Sequence, residues 1–274
     1  MNEKKVVAVI VEGPSDESAL GGVLKEYFSS EEVQFKVVHG DITSSDHTQL
    51  DNAVNAIYDL IENLRSKYGY QWTDFAQIIH LADTDGVFTK NCVTEAAVDS
   101  IQYYVDHMES SNVEETIRRN THKAQILFKL YATPKVNGIK YRIYFNSCNL
   151  EHVLYNELKD FSDEEKEQLS DDFSDRYEGK LDEFIDFISN SDVAVAGKYR
   201  ETWKYIEKGT NSLQRHSNMH LIFDTERGDS VEESREIELN SETVMAMMEA
   251  EQIARNPDVR AYSVEEDFEK ELEK

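Results

Sequence analysis

Val6-Val7-Ala8-Val9-Ile10-Val11, followed at once by Glu12-Gly13-Pro14-Ser15-Asp16, is the stretch that decides the fold. A continuous run of mostly β-branched apolar residues, with no polar alternation, is what a strand covered on both faces of a parallel sheet requires. Gly13 and Pro14 stop the strand. Ala19, Leu20, Val23, Leu24, Tyr27 and Phe28 then recur with helical spacing, and Ser15 is the expected cap. The first unit reads as strand, acidic turn, helix.

Working outward, Val33 to Val38 predicts a second strand closing at His39-Gly40-Asp41. The spacing of Leu50, Val54, Ile57, Ile61, Leu64 and Tyr68 predicts a helix, and Phe75 to Ala82 a third strand that runs into Asp83-Thr84-Asp85-Gly86. Strands alternating with helices predict an α/β domain with a parallel sheet. Val98, Ile101, Val105 and Met108 then predict one helix and residues 113–131 another, together a helical insertion over about 89–136. Asn137-Gly138 is a turn signal, and Ile139, Tyr141, Ile143 and Phe145 alternate as a fourth strand does. Asn146-Ser147-Cys148-Asn149 ends it, and a helix follows with Glu151 in its first turn. These elements place an α/β domain over residues 1–160. Residues 161–274 read as mostly helical: Leu181, Phe184, Ile185 and Ile188 form one stripe, Tyr199, Trp203 and Ile206 another. A further helix carries Val244, Met247, Met248 and Ile253, and the acidic segment 263–274 ends the chain; Met219 to Phe223 fits neither period.

The 274 residues carry a formal charge of −26. Such a charge argues against coating nucleic acid through bulk electrostatics. Two stretches run the other way. Between Glu115 and Glu151 there is no acidic residue but Arg118, Arg119, Lys123, Lys129, Lys135, Lys140 and Arg142; the second stretch holds Lys198, Arg200, Lys204, Lys208 and Arg215 with Tyr199, Trp203 and Tyr205 interleaved. Arg118, Arg119, Lys123, Lys204 and Arg215 are the candidate nucleic-acid contacts. Cys92 and Cys148 form no C-x-x-C pair, which argues against a disulfide framework or a zinc site. No apolar run approaches a membrane span and no secretory leader is read, so a cytoplasmic protein without membrane contact is the expectation.

Ligands of open α/β sheets bind beyond the carboxyl ends of the strands. Three predicted strand ends carry acid there: Glu12 with Asp16, Asp83 with Asp85, and Glu151. In an extended segment residues two apart face one way, so Asp83 and Asp85 are expected to share one site. Hard oxygen donors of this kind suit magnesium or manganese, which keeps coordination positions for water and phosphate oxygens. Glu12, crowded by other acids, is expected to have a raised pKa and to exchange a proton near neutrality.

Glu12-Gly13 after the first strand, Asp83-Thr84-Asp85 after a later one, and Asn149-Leu150-Glu151-His152-Val153-Leu154 beyond the fourth resemble, in order, the motifs of the TOPRIM domain. Topoisomerases, bacterial primases and OLD-type and RloB-like nucleases share that domain; Ser15-Asp16 matches the nuclease branch. The resemblance covers residues 5–90 and 139–158. It implies a TOPRIM-like sheet, a magnesium-dependent (or manganese-dependent) nuclease acting on DNA or RNA, tRNA included, and a role in antiviral defence by abortive infection. In it Glu12 is the general acid or base, Asp83, Asp85 and Asp16 hold metal, and Glu151 is a second-site candidate. No P-loop is present, so a separately encoded ATPase partner is implied, and a homo-oligomer is compatible with it. Two rivals stand beside it. Asp83-Thr84-Asp85-Gly86-Val87, with Gly228-Asp229-Ser230, also resembles haloacid-dehalogenase-type phosphatases, in which Asp83 would be the nucleophile. The other is a non-catalytic TOPRIM-like module that binds a partner or RNA. His39 and His80 read as structural, His152 as a solvated or capping residue.

Overall fold

The computed structural model describes residues 5–29, 33–40, 42–45, 47–89, 92–159 and 161–224. Asp41, the expected helix around Met247, the acidic segment 263–274 and Gly228-Asp229-Ser230 lie outside the described residues.

The first strand, β1 (Lys5–Val11), is buried from Val6 onward. Its side chains divide by parity. Val6, Ala8 and Ile10 enter one core cluster and Val7, Val9 and Val11 the other. The uninterrupted apolar run is therefore the mark of a sheet covered on both sides. Ile10 is fully buried, and its truncation to Ala costs about 2–5 kcal/mol in such a setting.

Helix α1 (Pro14–Phe28) starts two residues earlier than a Ser15 cap would set it. Gly13 is the N-cap, Pro14 occupies the first helical position, and Asp16 in the first turn accepts the backbone N–H groups of Glu12 and Gly13 at 3.1 Å each. Proline lacks the donor that would be orphaned there, and the Asp16 carboxylate satisfies two donors that the helix cannot. β2 (Val33–His39) runs parallel to β1. α2 (Ala53–Tyr68) buries Ala53, Ile57, Ile61 and Leu64 and stops at Gly69, whose φ of 73° provides the left-handed cap.

β3 (Phe75–Asp83) lies parallel to β1 on its other side. The region that follows departs from the expected helical insertion. Residues 93–110 form a small sheet of β4 (Val93–Glu95), β5 (Gln102–Tyr103) and β6 (Met108–Ser110), in the order β4-β6-β5. Helical spacing misleads there because of the four apolar positions only Met108 is buried; Val105 is 59% exposed. Short segments rich in Val, Thr and Tyr pair as strands instead.

α3 (Val113–Tyr131) is capped by Asn112, whose side chain accepts the Glu115 N–H at 3.1 Å. It is the crossover that carries the chain from β3 to β8, and Ile126, Leu127 and Leu130 belong to the same core as α2. β7 (Lys135–Val136) and β8 (Ile139–Asn146) form a hairpin through Asn137 and Gly138, with φ of 47° and 83°. Positive φ at both turn residues is the geometry Asn-Gly favours between twisted strands. The large sheet has the order β2-β1-β3-β8-β7, parallel except for the β7 edge.

α4 (Leu150–Tyr155), α5 (Asp163–Tyr177) and α6 (Leu181–Ser189) pack with α1 on one face of the sheet, through Leu150, Val153, Phe173, Phe184 and Ile188. α7 (Tyr199–Ile206) contributes Trp203 and Ile206 to the opposite face, and Met219–Ile222 is a 3-10 turn. Residues 161–224 thus complete both layers of the α/β unit. No helix of the described residues is long and apolar enough to cross a membrane.

Candidate functional site

The connection leaving β1 leads to β2 on one side, and the connection leaving β3 leads to β8 on the other. The carboxyl ends of β1 and β3 therefore flank a topological switch point, where open α/β sheets leave a crevice for ligands. Glu12 follows β1, Asp83 is the last residue of β3, and Glu151 lies in α4 beyond β8.

Hydrogen bonds stitch these ends together. Glu12 Oε1 accepts the backbone N–H of Asp83 at 3.1 Å and the Thr43 hydroxyl at 3.2 Å. Asp83 Oδ1 accepts from Asn146 Nδ2 at 3.2 Å, across the register pair that ends β3 and β8. Beyond the sheet, Thr84 N–H donates to Asn146 O at 2.9 Å, and Asp85 N–H to Cys148 O at 2.8 Å. The loop after β3 is thereby fixed to the loop after β8.

Asp83 and Asp85 make different hydrogen bonds, although both lie within electrostatic reach of Lys123. Asp85 has a φ of 45°, so the chain has already left the extended form. The turn sends its carboxylate to Lys123 on α3, with Oδ2 to Nζ at 2.6 Å, while Asp83 stays between the strand ends. Lys123 itself overturns an expectation. It is not a surface contact for nucleic acid: its side chain is 2% exposed and its ammonium donates to Ser44 Oγ at 2.8 Å, with Glu12 Oε1 at 3.8 Å. Burial pushes this ammonium toward the neutral form, but Asp85 and Glu12 more than reverse that and hold it firmly protonated.

The other flank has a different balance. Asp83, 9% exposed, has its pKa raised well above the usual carboxylate range, first by burial and then by Glu12, Asp16, Glu151 and Asp85. Asp16 is raised to about 6, again by burial first and then Glu151, against the lowering effect of its backbone hydrogen bonds. Burial and like charge thus hold both Asp83 and Asp16 back from ionisation. Glu151 is buried and meets Lys166 of α5 at 3.2 Å. A small open cleft beside it, between α1, α4 and α5, is lined by Ser15, Asp16, Glu151, Tyr155 and Lys166. Five carboxylates, Glu12, Asp16, Asp83, Asp85 and Glu151, face two ammonium groups, Lys123 and Lys166. Among the described residues no three acidic, His or Cys side chains stand ready as a preformed metal cage.

The remaining predicted contacts divide. Arg118 is exposed and pairs with Glu115, and Lys204 is exposed on α7. Arg119 is half-buried: it donates to Asn120 Oδ1 at 2.7 Å and Tyr103 Oη at 3.2 Å, and its Nη2 lies 3.5 Å from the Asp85 carbonyl. Arg215 donates to the Val153 carbonyl at 2.9 Å. The aromatics interleaved in the second basic stretch turn inward; Trp203 is in the core and the Tyr199 hydroxyl donates to Ile143 O at 2.6 Å. His80 lies inside the sheet, its Nδ1 2.8 Å from the Tyr141 hydroxyl, with a pKa pushed down to about 3 by burial and then by Lys123. His152 is buried, not solvated, and is pushed down to about 4 by burial and Arg215.

Composition alone could not reveal Thr43, Ser44, Asn146 and Lys166 as parts of this constellation, since each carries an ordinary loop, strand or helix signal. Lys123 did leave a trace: Thr116, Asn120, Lys123, Leu127 and Leu130 follow one helical stripe, and the stripe is the buried one. No protein-family model, curated protein or solved structure matches the chain.

Proposed function

We propose that the chain is a TOPRIM-like, metal-dependent nuclease that hydrolyses phosphodiester bonds in DNA or RNA. The observation that carries the reading is the convergence of Glu12, Asp16, Asp83, Asp85 and Glu151 on the switch point between β1 and β3. The donor set fits magnesium or manganese: it is all oxygen, and Asp83 is a buried carboxyl surrounded by like charge, which a divalent cation would relieve. Asp83, Asp85, Asp16 and Glu151 are the oxygens available to hold it. The bound ion would supply the charge that stabilises the phosphoryl and leaving oxygens.

The chain's own groups account for the rest of the chemistry. Glu12 is oriented by the Asp83 N–H and the Thr43 hydroxyl, both on Oε1, so that its carboxylate is aimed rather than free to rotate. It is the group proposed to take or return the proton of the attacking water. Asp16, with its pKa near 6, holds or releases a proton within the range where such catalysts operate. Arg118 and Lys204 are left as exposed cations for the substrate backbone. Service in antiviral defence, with a separately encoded ATPase, extends the same reading.

Haloacid-dehalogenase chemistry is less well supported. Asp83 ends the third strand in sequence, after a strand-helix-strand-helix unit, whereas the first motif of those phosphatases sits on the first strand, and Glu12 would have no part in that chemistry. The decisive experiment incubates the purified protein with magnesium or manganese and plasmid, single-stranded DNA or total tRNA. Cleavage of at least one is expected, with Glu12→Gln and Asp83→Asn each losing roughly 100-fold or more. Cleavage untouched by both substitutions overturns the site, and no cleavage of any substrate favours the binding module. A phosphoryl group trapped on Asp83 favours the phosphatase.

A further inference from the structure

We propose that Arg119 and Tyr103 form a phosphate-binding pair at the edge of this site, which takes a phosphodiester group of the nucleic-acid backbone beside Asp85. The inference rests on the nucleic-acid reading above and deepens it, because it names a substrate contact that the fold holds in place.

Arg119 and Lys123 lie four residues apart on α3 and so face the same way. Both reach Asp85, by different atoms. The Asp85 carboxylate turns to the Lys123 ammonium at 2.6 Å, and its carbonyl oxygen, 3.5 Å from Nη2, is what meets Arg119. The other acceptors of the guanidinium are also neutral. Nε and Nη2 donate to Asn120 Oδ1 at 3.1 and 2.7 Å, and Nη1 donates to the Tyr103 hydroxyl at 3.2 Å. Among the described residues no carboxylate pairs with Arg119, whereas Arg118 and Lys123 pair with Glu115 and Asp85. A half-buried guanidinium held only by neutral oxygens is oriented without being paired. Its planar fork is suited to a phosphate oxyanion.

The donors left over indicate the chemistry of the ligand. A guanidinium has five N–H groups, and these contacts occupy four, leaving one on Nη1. Tyr103 accepts from Arg119, and its own O–H has no acceptor among the described residues. Burial and then Asp85 push this phenol up to about 12, so it remains a donor at neutral pH. One charged and one neutral donor are thus adjacent, as contacts to a backbone phosphate require. The surrounding frame holds the pair still. Asn120 is buried, and Tyr103 stands on β5 in register with the buried Met108 of β6. The Asp85 carbonyl is fixed by the turn that follows: Gly86 has a φ of 64°, and Leu213 packs where a side chain at Gly86 would stand. The small sheet of residues 93–110 thereby acquires a role, since it delivers Tyr103 to α3.

Fluorescence anisotropy with labelled single-stranded DNA and RNA, in EDTA so that nothing is cut, measures the contact without relying on activity. Arg119→Gln is expected to weaken binding of the preferred strand roughly tenfold, and Tyr103→Phe about threefold. The slope of log Kd against log salt should fall by about 0.7 in Arg119→Gln and stay unchanged in Tyr103→Phe, a readout that a merely structural arginine would not move. Arg119→Lys, which keeps the charge but not the fork, should keep the slope and lose affinity. Lys25→Gln, which removes an exposed charge from the last turn of α1, should match wild type. An Arg119→Gln chain that binds as wild type does, or with an unchanged slope, overturns the pair while leaving the nuclease reading intact. Displacement of the strand by millimolar inorganic phosphate, beyond that of chloride at equal ionic strength, assigns the pair to a free phosphate and overturns the backbone contact. Failure of the wild type to bind either strand also overturns the pair, and if cleavage is absent as well the nuclease reading falls with it. If Arg119→Gln does not fold, Tyr103→Phe decides, because it removes one hydroxyl from a half-buried ring: affinity equal to wild type overturns the pair.

Discussion

The acid cluster has two halves that chemistry treats differently. Around Asp85, a carboxylate meets a buried lysine on a core helix; around Asp83 and Asp16, carboxyls of the same kind meet mostly one another. The first half is compensated by the fold and the second is frustrated by it. A charge that the interior neutralises serves structure, whereas a charge that the interior leaves in excess is available for a proton, an ion or a substrate.

The sharpest break in this contrast comes from Lys123→Met. Loss of the buried ammonium strands Asp85 and Glu12 and should destabilise the metal-free protein by about 3–5 kcal/mol, measured by urea unfolding at pH 7. A change below about 1 kcal/mol would mean that the two halves do not differ. The acids of the second half have the opposite sign. The Asp16 carboxyl is raised from 3.8 to about 6 in the fold, so the folded state binds the extra proton and stability falls as pH rises through that window. A shift of that size corresponds to roughly 3 kcal/mol. Asp16→Asn should flatten the decline between pH 4 and 6 and leave the variant at least as stable as wild type at pH 7. A steeper decline in the variant than in wild type would contradict the assignment.

Smaller effects test how Glu151 is held. Asn149 accepts the His152 N–H at 2.8 Å and so caps the helix that carries Glu151. Asn149→Ala should cost about 1 kcal/mol, read in the same unfolding assay. Lys166→Met should be smaller still, below about 1 kcal/mol, because the ion pair it breaks is partly solvated. A loss comparable to that of Lys123→Met would show that both halves depend on a structural lysine.

Much of the α/β frame was legible in the residues. The unbroken run in β1, the helical spacing of α1 and α2, and the Asn137-Gly138 hairpin are local signals that tertiary packing did not override. Acidic residues at strand ends were legible too, because topology, not contact detail, brings them together. What the residues concealed depends on three dimensions. Residues 93–110 have a helical period but strand-forming side chains, and their exposure decided in favour of strands. Lys123 was grouped with its basic neighbours by composition, although its phase on α3 placed it with Leu127 and Leu130. That Asp83 and Asp85 turn to different hydrogen-bond partners cannot be read from their two-residue spacing, because it depends on the left-handed backbone at Asp85. Ser15 gave way to Gly13 as the cap once Asp16 could reach back to two donors.

The stitched strand ends have a consequence for how the chain is made. Glu12, Asp83, Lys123, Glu151 and Lys166 enter the cluster in the order of synthesis, and contacts so distant in sequence form only after the intervening loops have closed. Glu12 and Asp85 meet their buried counter-charge, Lys123, only when α3 has docked on the sheet, and Glu151 meets Lys166 only when α5 has. A nascent chain that stops short of α5 therefore carries the acids without the full set of partners, and assembly of the constellation is deferred until α5 has left the ribosome.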